Sequence, residues 1–466
     1  MKTTSTSELL LPVDRTSNVP LHVQLEREMR RAVRTGRLRA DLPLPSTRAL
    51  AADLGVSRGV VVECYEQLIA EGYFTSMRGS GTRVAAIRTE AAQPRVAALP
   101  ITEPRYDFRP GTPDVASFPR RAWFASLRRV YGAAGNSAFR YPEPQGPRAT
   151  RAALAAFLAR SRATVGDAES IVLCNGFAQG IDLMTRFLKS LGVTSVAIED
   201  PGYGDVARRC RNIGMAAHSI PIDDRGLVVE RLARTPARAV LVTPSHQYPT
   251  GAGMTADRRA ALLTWAAKRD AWIIEDDYDA EFRYDREPLG ALQGLAPDRV
   301  VYVGTGSKIL SPALRLGWLM APEKVASEVA ALKAFADGGS PTIDQLVLAD
   351  FLDSGEMDRH LRRMRQVYRR RRDLLTAAVA EFLPDLRIGG VAAGLHLMMD
   401  LPAGSDESAV VAEAEQSSIR LFGAARYRAR PRQSPPALVI GYGCAADALI
   451  GEGVHRLARV IRRSTK

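Results

Sequence analysis

The sequence predicts an α/β protein in two parts: an N-terminal winged helix-turn-helix, then a larger domain with a mainly parallel sheet and a small α+β subdomain at its C-terminal end. Three observations predict this. Residues 20–85 carry the spacing of three short helices and a hairpin. From about Asp107, short apolar runs such as VTSVAIED, ARAVLVTP, AWIIEDD and RVVYVGT alternate with amphipathic helical segments, the pattern of a parallel sheet with crossover helices. Near Gly339 it changes to a long helix followed by the isolated strands LHLMMDL and ALVIGYG. At 466 residues the chain exceeds what one core ordinarily organises. With 46% hydrophobic and 25% charged residues, a packed interior is expected rather than disorder. The stretch AAIRTEAAQPRVAALPITEP lacks periodicity and is rich in Ala and Pro, so it reads as a linker. The expected domains are 18–86, a linker at 87–106, and 107–466 with its small subdomain at about 340–466.

In PLPSTRALAADLGVSRGVVVECYEQL, Ser46 is placed to cap a helix whose Leu50 and Leu54 lie one turn apart and face inward. Gly55 supplies a turn, and Ser57 is placed to cap a second helix with Val61, Tyr65 and Leu68 on one face. Two short helices around a glycine turn make a helix-turn-helix, whose second helix enters a major groove through its first residues, here Ser57, Arg58 and Gly59. EGYFTSMRGSGTRVA reads as two strands around Arg78, Gly79, Ser80 and Gly81, a wing for phosphates or a minor groove. Residues 20–85 resemble the GntR family of bacterial regulators through LPSTRALAADLGVSR, the following helix and GSGT. The resemblance implies that Arg48, Ser57, Arg58, Gly59, Arg78 and Gly79 contact operator DNA. RADLPLPS departs from the family, which carries a glycine shortly before the LPS. The alternative is an unrelated three-helix domain with solvated arginines. Charge does not decide between them: the net +13 permits a polyanionic partner, but residues 1–90 hold thirteen basic and ten acidic side chains, a surplus of only three.

Lys308 sits in GTGSKILSPALRLG after an apolar strand, with Ser307 beside it and Arg315 seven residues on, which fits a Schiff-base nucleophile next to a phosphate site. IIEDDYDAEF strengthens that reading. A pyridoxal phosphate ring needs a carboxylate on its nitrogen and a donor on its phenolate oxygen, and Asp276 and Tyr278, two residues apart at a strand end, share a face. Successive carboxylates there would repel one another unless paired with cations.

FRPGTPDVASFP, YPEPQG, NGFAQGIDL, EDPGY, TPSHQYPTG, EDDYDAEFRY and GTGSKILSPALRLG together resemble fold-type I aminotransferases, and more narrowly the MocR-type branch of GntR regulators, over most of 107–322. The resemblance implies pyridoxal 5′-phosphate, with Lys308 as the Schiff-base lysine, Asp276 on the ring nitrogen, Tyr278 on the ring oxygen and Tyr203 stacked on the ring. It also implies a phosphate site of Thr305, Ser307 and Arg315 with the backbone of Phe177 and Ala178. Tyr141 matches a tyrosine that reaches the neighbouring subunit's phosphate, which implies a homodimer; an ordinary half-buried aromatic is an equal reading. Tyr248 stands where aminotransferases carry an asparagine, which puts efficient transamination in doubt, and His246 reads as a core histidine ahead of a cofactor-adjacent one.

The expected function is a sensor: an amino-bearing metabolite or pyridoxal phosphate itself alters the large domain and, through it, operator binding. The rival is a working aminotransferase with a vestigial winged helix. An effector carboxylate has four candidate partners in Arg426, Arg428, Arg430 and Arg432, among which the sequence does not choose. The run Arg362, Arg363, Arg365, Arg369 and Arg370 reads as a solvated face ahead of a second DNA contact. Cys64, Cys174, Cys210 and Cys444 show no metal-ligand spacing, no metal is expected, and no signal peptide or membrane span is apparent, so a cytoplasmic protein is expected.

Overall fold

In the computed structural model, which describes residues 11–77, 81–87, 103–285, 289–430 and 434–464, the chain divides into two units, Met1–Thr102 and Glu103–Lys466.

The first unit packs α1 (Leu21–Arg34), α2 (Thr47–Leu54) and α3 (Arg58–Ala70) against the antiparallel pair β1 (Phe74–Met77) and β2 (Gly81–Val84). Leu25, Met29, Leu50, Val61, Tyr65, Leu68 and Phe74 form its core, so the residues spaced by helical turns converge. Leu54 is only partly buried at its edge. Ser46 caps α2, its hydroxyl accepting from the Ala49 N–H at 3.2 Å. Gly55 ends α2 with φ 62°, the left-handed conformation that suits glycine. Ser57 occupies the cap position of α3, but its side chain makes no capping bond, a correction to the expected cap. The missing family glycine has a physical substitute. Asp41 adopts φ 62°, which aspartate tolerates better than most residues, and its carbonyl accepts from Arg83 at 2.7 Å. The wing tip, Arg78, Gly79 and Ser80, lies outside the described residues.

The second unit is built on an eight-stranded sheet. From one edge its strands are Ile171–Cys174, Gly317–Met320, Val300–Thr305, Trp272–Asp277, Ala239–Val242, Ser195–Asp200, Ala216–Asp223 and Gly226–Leu227. The run from Val300–Thr305 to Ala216–Asp223 is parallel, while Gly317–Met320 is antiparallel to both its neighbours. Ala239–Val242 and Val300–Thr305 are buried throughout, as continuous apolar runs must be when helices cover both sheet faces. In such sheets ligands gather beyond the carboxyl ends of the parallel strands, and here those ends deliver Asp276 and Thr305.

The C-terminal part holds the helices Thr342–Asp353, Glu356–Phe382 and Asp447–Ser464 and an antiparallel sheet of Ile388–Gly389, His396–Asp400, Ala437–Gly441 and Phe422–Gly423. Tyr106–Asp107 pairs in parallel with Ile419–Arg420, so the start of the unit is stitched into its end. The basic helix Glu356–Phe382 is tied down: Arg371 bridges Asp114 and Asp447 at 2.8 Å each, Arg370 reaches Asp447, and Arg365 donates to the Glu281 carbonyl. No helix among the described residues is long and apolar enough to cross a membrane.

Candidate functional site

A cavity of about 340 Å³ opens at the carboxyl ends of the parallel strands. Lys308 is half-buried in its wall, one turn into the short helix Gly306–Ile309, which the Thr305 hydroxyl caps by accepting from Ser307 N at 3.1 Å. The Lys308 amine donates to the Gly111 carbonyl at 2.5 Å. Asp276 is the penultimate residue of the strand Trp272–Asp277, and Tyr278, just past the strand's end, lines the same cavity. In the same cavity the helix Phe177–Ser190 begins without a side-chain cap, and its first residues, Phe177 and Ala178, line the space with the positive end of the helix dipole. Arg315 donates to the Asn175 carbonyl beside that helix start. Gly176 adopts φ 78°, the left-handed region that favours glycine, and a Cβ there would crowd the Arg315 guanidinium at 2.9 Å.

The electrostatics follow from burial. Asp276 is buried with one carboxylate oxygen lacking any partner, and desolvation, then Asp277 and Glu199, push its pKa well above the ordinary value. Burial lowers the Lys308 amine, while Asp279 and Asp276 oppose that shift. The repulsion expected among successive carboxylates is relieved as charge logic requires. Asp277 pairs with the fully buried Arg162 at 2.6 Å, and Glu275 accepts from the N–H groups of Leu292 and Gln293 at 3.0 Å. Tyr278 donates to the His246 carbonyl at 2.9 Å and lies 3.2 Å from His246 Nδ1, which in turn faces Asp279 at 3.1 Å. His246 is therefore buried and also adjacent to the cavity wall.

The structure brings together nine of the residues expected at the cofactor: Phe177, Ala178, Tyr203, Asp276, Tyr278, Thr305, Ser307, Lys308 and Arg315 all line this cavity. Tyr141 does not join them and is fully exposed. Tyr248, in the asparagine position, lines it too, as do Pro110, Gly111 and Pro312, to which the sequence assigns no role; the first two of these lie in the FRPGTPDV motif, which was the available signal. Tyr248 fills its position by bonding Tyr427 hydroxyl to hydroxyl at 2.9 Å. Among the described lining residues the cations are Lys308 and Arg315. Arg426 stacks instead over the Phe422 ring at 4.7 Å, Arg428 donates to the Pro435 carbonyl, Arg430 is exposed, and Arg432 lies outside the described residues. In the first unit, Arg48 on α2 and Ser57, Arg58 and Gly59 at the start of α3 are all exposed, while Tyr65 anchors α3 to the Pro45 carbonyl at 3.0 Å.

The family model for aminotransferases of class I and II matches residues 113–434, and that for bacterial regulatory proteins of the gntR family matches residues 21–84. The HTH-type pyridoxine biosynthesis transcriptional regulator PdxR of Corynebacterium glutamicum is 36% identical over 400 residues, 84% of this chain and 86% of the relative. The probable rhizopine catabolism regulatory protein MocR of Rhizobium meliloti is 32% identical over 475 residues, 96% of this chain and 95% of the relative. Among solved structures, the kynurenine aminotransferase of Pyrococcus horikoshii in complex with PMP superposes with a TM-score of 0.72 at 25% identity, over 78% of this chain and 92% of that one. Aminotransferases of this class generally depend on pyridoxal phosphate. Relatives that match both units are transcription regulators, which favours regulation over a working aminotransferase with a vestigial winged helix. The chain belongs to the MocR-type branch of the GntR family of bacterial transcription regulators, with a helix-turn-helix unit joined to an aminotransferase-like one.

Proposed function

We propose that this regulator holds pyridoxal 5′-phosphate at Lys308 and that the occupancy of the cavity, by the cofactor alone or with an amino-bearing effector, sets its grip on operator DNA. The observation that carries this reading is the buried oxygen of Asp276, unpartnered among the described residues, in the same cavity as an uncapped helix start with Arg315 beside it. An orphaned carboxylate oxygen calls for an N–H⁺ donor, and a helix N-terminus with a guanidinium calls for a phosphate. Pyridoxal phosphate presents both groups, a pyridinium N–H and a phosphate on a neighbouring methylene arm, and supplies an aldehyde that condenses with primary amines.

Each side chain then has a task. Asp276 keeps the ring nitrogen protonated, and Arg315, Thr305, Ser307 and the N–H groups of Phe177 and Ala178 hold phosphate. Tyr203 covers a ring face. Lys308, whose amine burial pushes below the ordinary lysine range while Asp279 and Asp276 oppose that shift, gives up its proton more readily than a solvated lysine and serves as the nucleophile. Tyr278 must turn its hydroxyl from the His246 carbonyl to donate to a ring oxygen. The name of the Corynebacterium relative, a regulator of pyridoxine biosynthesis, supports pyridoxal phosphate itself as the signal. Tyr248 in the asparagine position supports weak or absent turnover.

We place the DNA-binding domain at 18–86, the linker at 87–106 and the cofactor-binding domain at 107–466, in a cytoplasmic homodimer. The exposed Tyr141, with Phe124, Tyr131 and Phe139 each more than half exposed, supports a second copy covering that face. Arg48, Ser57, Arg58, Gly59, Arg78 and Gly79 are the proposed operator contacts. The test is a titration of the purified full chain with pyridoxal phosphate, read by visible absorbance, and of operator duplex with and without the cofactor. One equivalent bound by the wild type and none held covalently by Lys308→Ala is expected. A wild-type chain that never develops the visible band, or operator affinity indifferent to the cofactor, defeats the proposal.

A further inference from the structure

Away from the cofactor cavity, the second unit has another concavity of about 620 Å³, between the start of the helix α4 (Arg120–Ala133) and the first turns of the helix Glu356–Phe382. Four guanidiniums line it, from Arg120, Arg121, Arg359 and Arg363, against the single carboxylate of Glu356. That carboxylate is taken by Arg359 at 2.8 Å, which leaves three uncompensated cations. Arg120 and Arg363 each donate to a neutral backbone carbonyl, of Ala116 at 3.0 Å and Ser117 at 2.9 Å, and these bonds use a fraction of each five-donor fork. Arg121 is exposed, with no side-chain hydrogen bond or ion pair among the described residues. α4 opens here behind Pro119 with no side-chain cap, so its dipole adds positive potential in the same place. Like charges gathered in a concavity, unlike those spread over a convex face, focus their field on whatever enters. The volume falls in the usual range for small-molecule sites.

The floor of this concavity is wired to the cofactor lysine. His360 is buried there, and its Nε2 donates to the carbonyl of Ile309, the residue after Lys308, at 2.8 Å. A carbonyl only accepts, so the proton is on Nε2, and Nδ1 accepts from Arg363 at 3.1 Å. Burial, with Arg363 adding to it, lowers the His360 pKa to about 4, which keeps the ring neutral and this bond order in place. An anion that draws the Arg363 fork toward itself pulls on His360 and thereby on the backbone carbonyl one residue beyond Lys308.

We propose that this concavity is a second ligand site, for a small phosphorylated anion carrying at least two charges, and that its occupancy is transmitted to Lys308 through Arg363 and His360. The transmission rests on the proposed cofactor at Lys308; the binding does not.

Equilibrium dialysis of the full chain against labelled inorganic pyrophosphate tests the site, with Arg315→Ala to remove the guanidinium of the cofactor cavity. Saturable binding should survive Arg315→Ala and weaken tenfold or more in the double variant Arg120→Ala/Arg121→Ala, whose side chains are exposed and leave the fold intact. Absence of saturable binding, or binding abolished by Arg315→Ala and kept in the double variant, overturns the site. So does a double variant that loses affinity for random duplex DNA with pyrophosphate binding unchanged, which assigns these arginines to the DNA backbone. For the transmission, pyrophosphate should shift the affinity for pyridoxal phosphate several-fold in the wild type and in His360→Gln, which retains a donor, and leave it unshifted in His360→Leu; linkage requires the reciprocal shift. Cofactor capture that ignores pyrophosphate overturns the transmission alone. Failure to capture the cofactor removes the transmission together with the cofactor reading and leaves the anion site standing.

Discussion

Glu199 illustrates how the cavity stores charge behind its wall. Its carboxylate is buried and accepts from Thr243 N at 3.0 Å, the Thr243 hydroxyl at 2.5 Å and Gln247 at 3.0 Å, yet desolvation outweighs those bonds and raises its pKa to about 7. In the unfolded chain it releases its proton near the ordinary value of 4.5. Between these values the folded state holds more protons, so the contribution of Glu199 to stability falls as pH rises from about 4.5 to about 7 and is level above. Glu199→Gln is therefore expected to flatten the decline of Tm over that interval, and an unchanged slope would show that Glu199 does not titrate there. Glu275 and Glu281, also raised by burial, leave a residual slope in the variant.

The elements depend on a few such contacts. Arg162, the last residue of the helix Arg148–Arg162, joins the strand Trp272–Asp277 through Asp277, reaches Ser245 at 2.9 Å and donates to the Leu289 carbonyl. Removing one partner of a buried pair strands the other, so Arg162→Ala should cost about 3–5 kcal/mol of stability. Chemical denaturation reads this, and a loss below about 1 kcal/mol would mean that water replaces the guanidinium. In the first unit, Arg58 opens α3 with its side chain exposed. Arg58→Ala is expected to cost about 1–3 kcal/mol at the operator and to relax preference at one position of each half-site. Arg78→Ala should weaken operator and scrambled duplex more evenly, with a shallower dependence on salt. Titrations at two salt concentrations separate these outcomes, and equal wild-type affinity for both duplexes defeats sequence reading by this unit.

At the scale of the whole molecule, the fully exposed Tyr141 belongs to a face that one chain leaves uncovered. If a second copy brings Tyr141 to the neighbouring cofactor phosphate, Tyr141→Phe should lower affinity for pyridoxal phosphate several-fold while the dimer persists in sedimentation. Unchanged affinity would leave Tyr141 an ordinary surface aromatic. The charge of the whole chain has little to do with either unit alone. Many arginines that give it a net +13 are spent on internal bonds such as Arg371 with Asp114 and Asp447, and among the described residues one surplus gathers where Arg120, Arg121 and Arg363 converge.

Features that depend on neighbours along the chain are legible before any folding is considered. The helical spacing of Val61, Tyr65 and Leu68, the turn at Gly55, the buried run RVVYVG ahead of Lys308 and the Asp276–Tyr278 spacing are local patterns, and they rendered the fold and most of the cavity legible. Tertiary structure decided what requires distant segments to meet. It set Gly111 against Lys308 across 197 positions, spent the basic helix on Asp114 and Asp447, and left Ser57 without its capping bond although Ser46 makes one. It also placed His360 under Ile309, because long-range contacts are selected by packing and desolvation over the whole core, which no window of sequence contains.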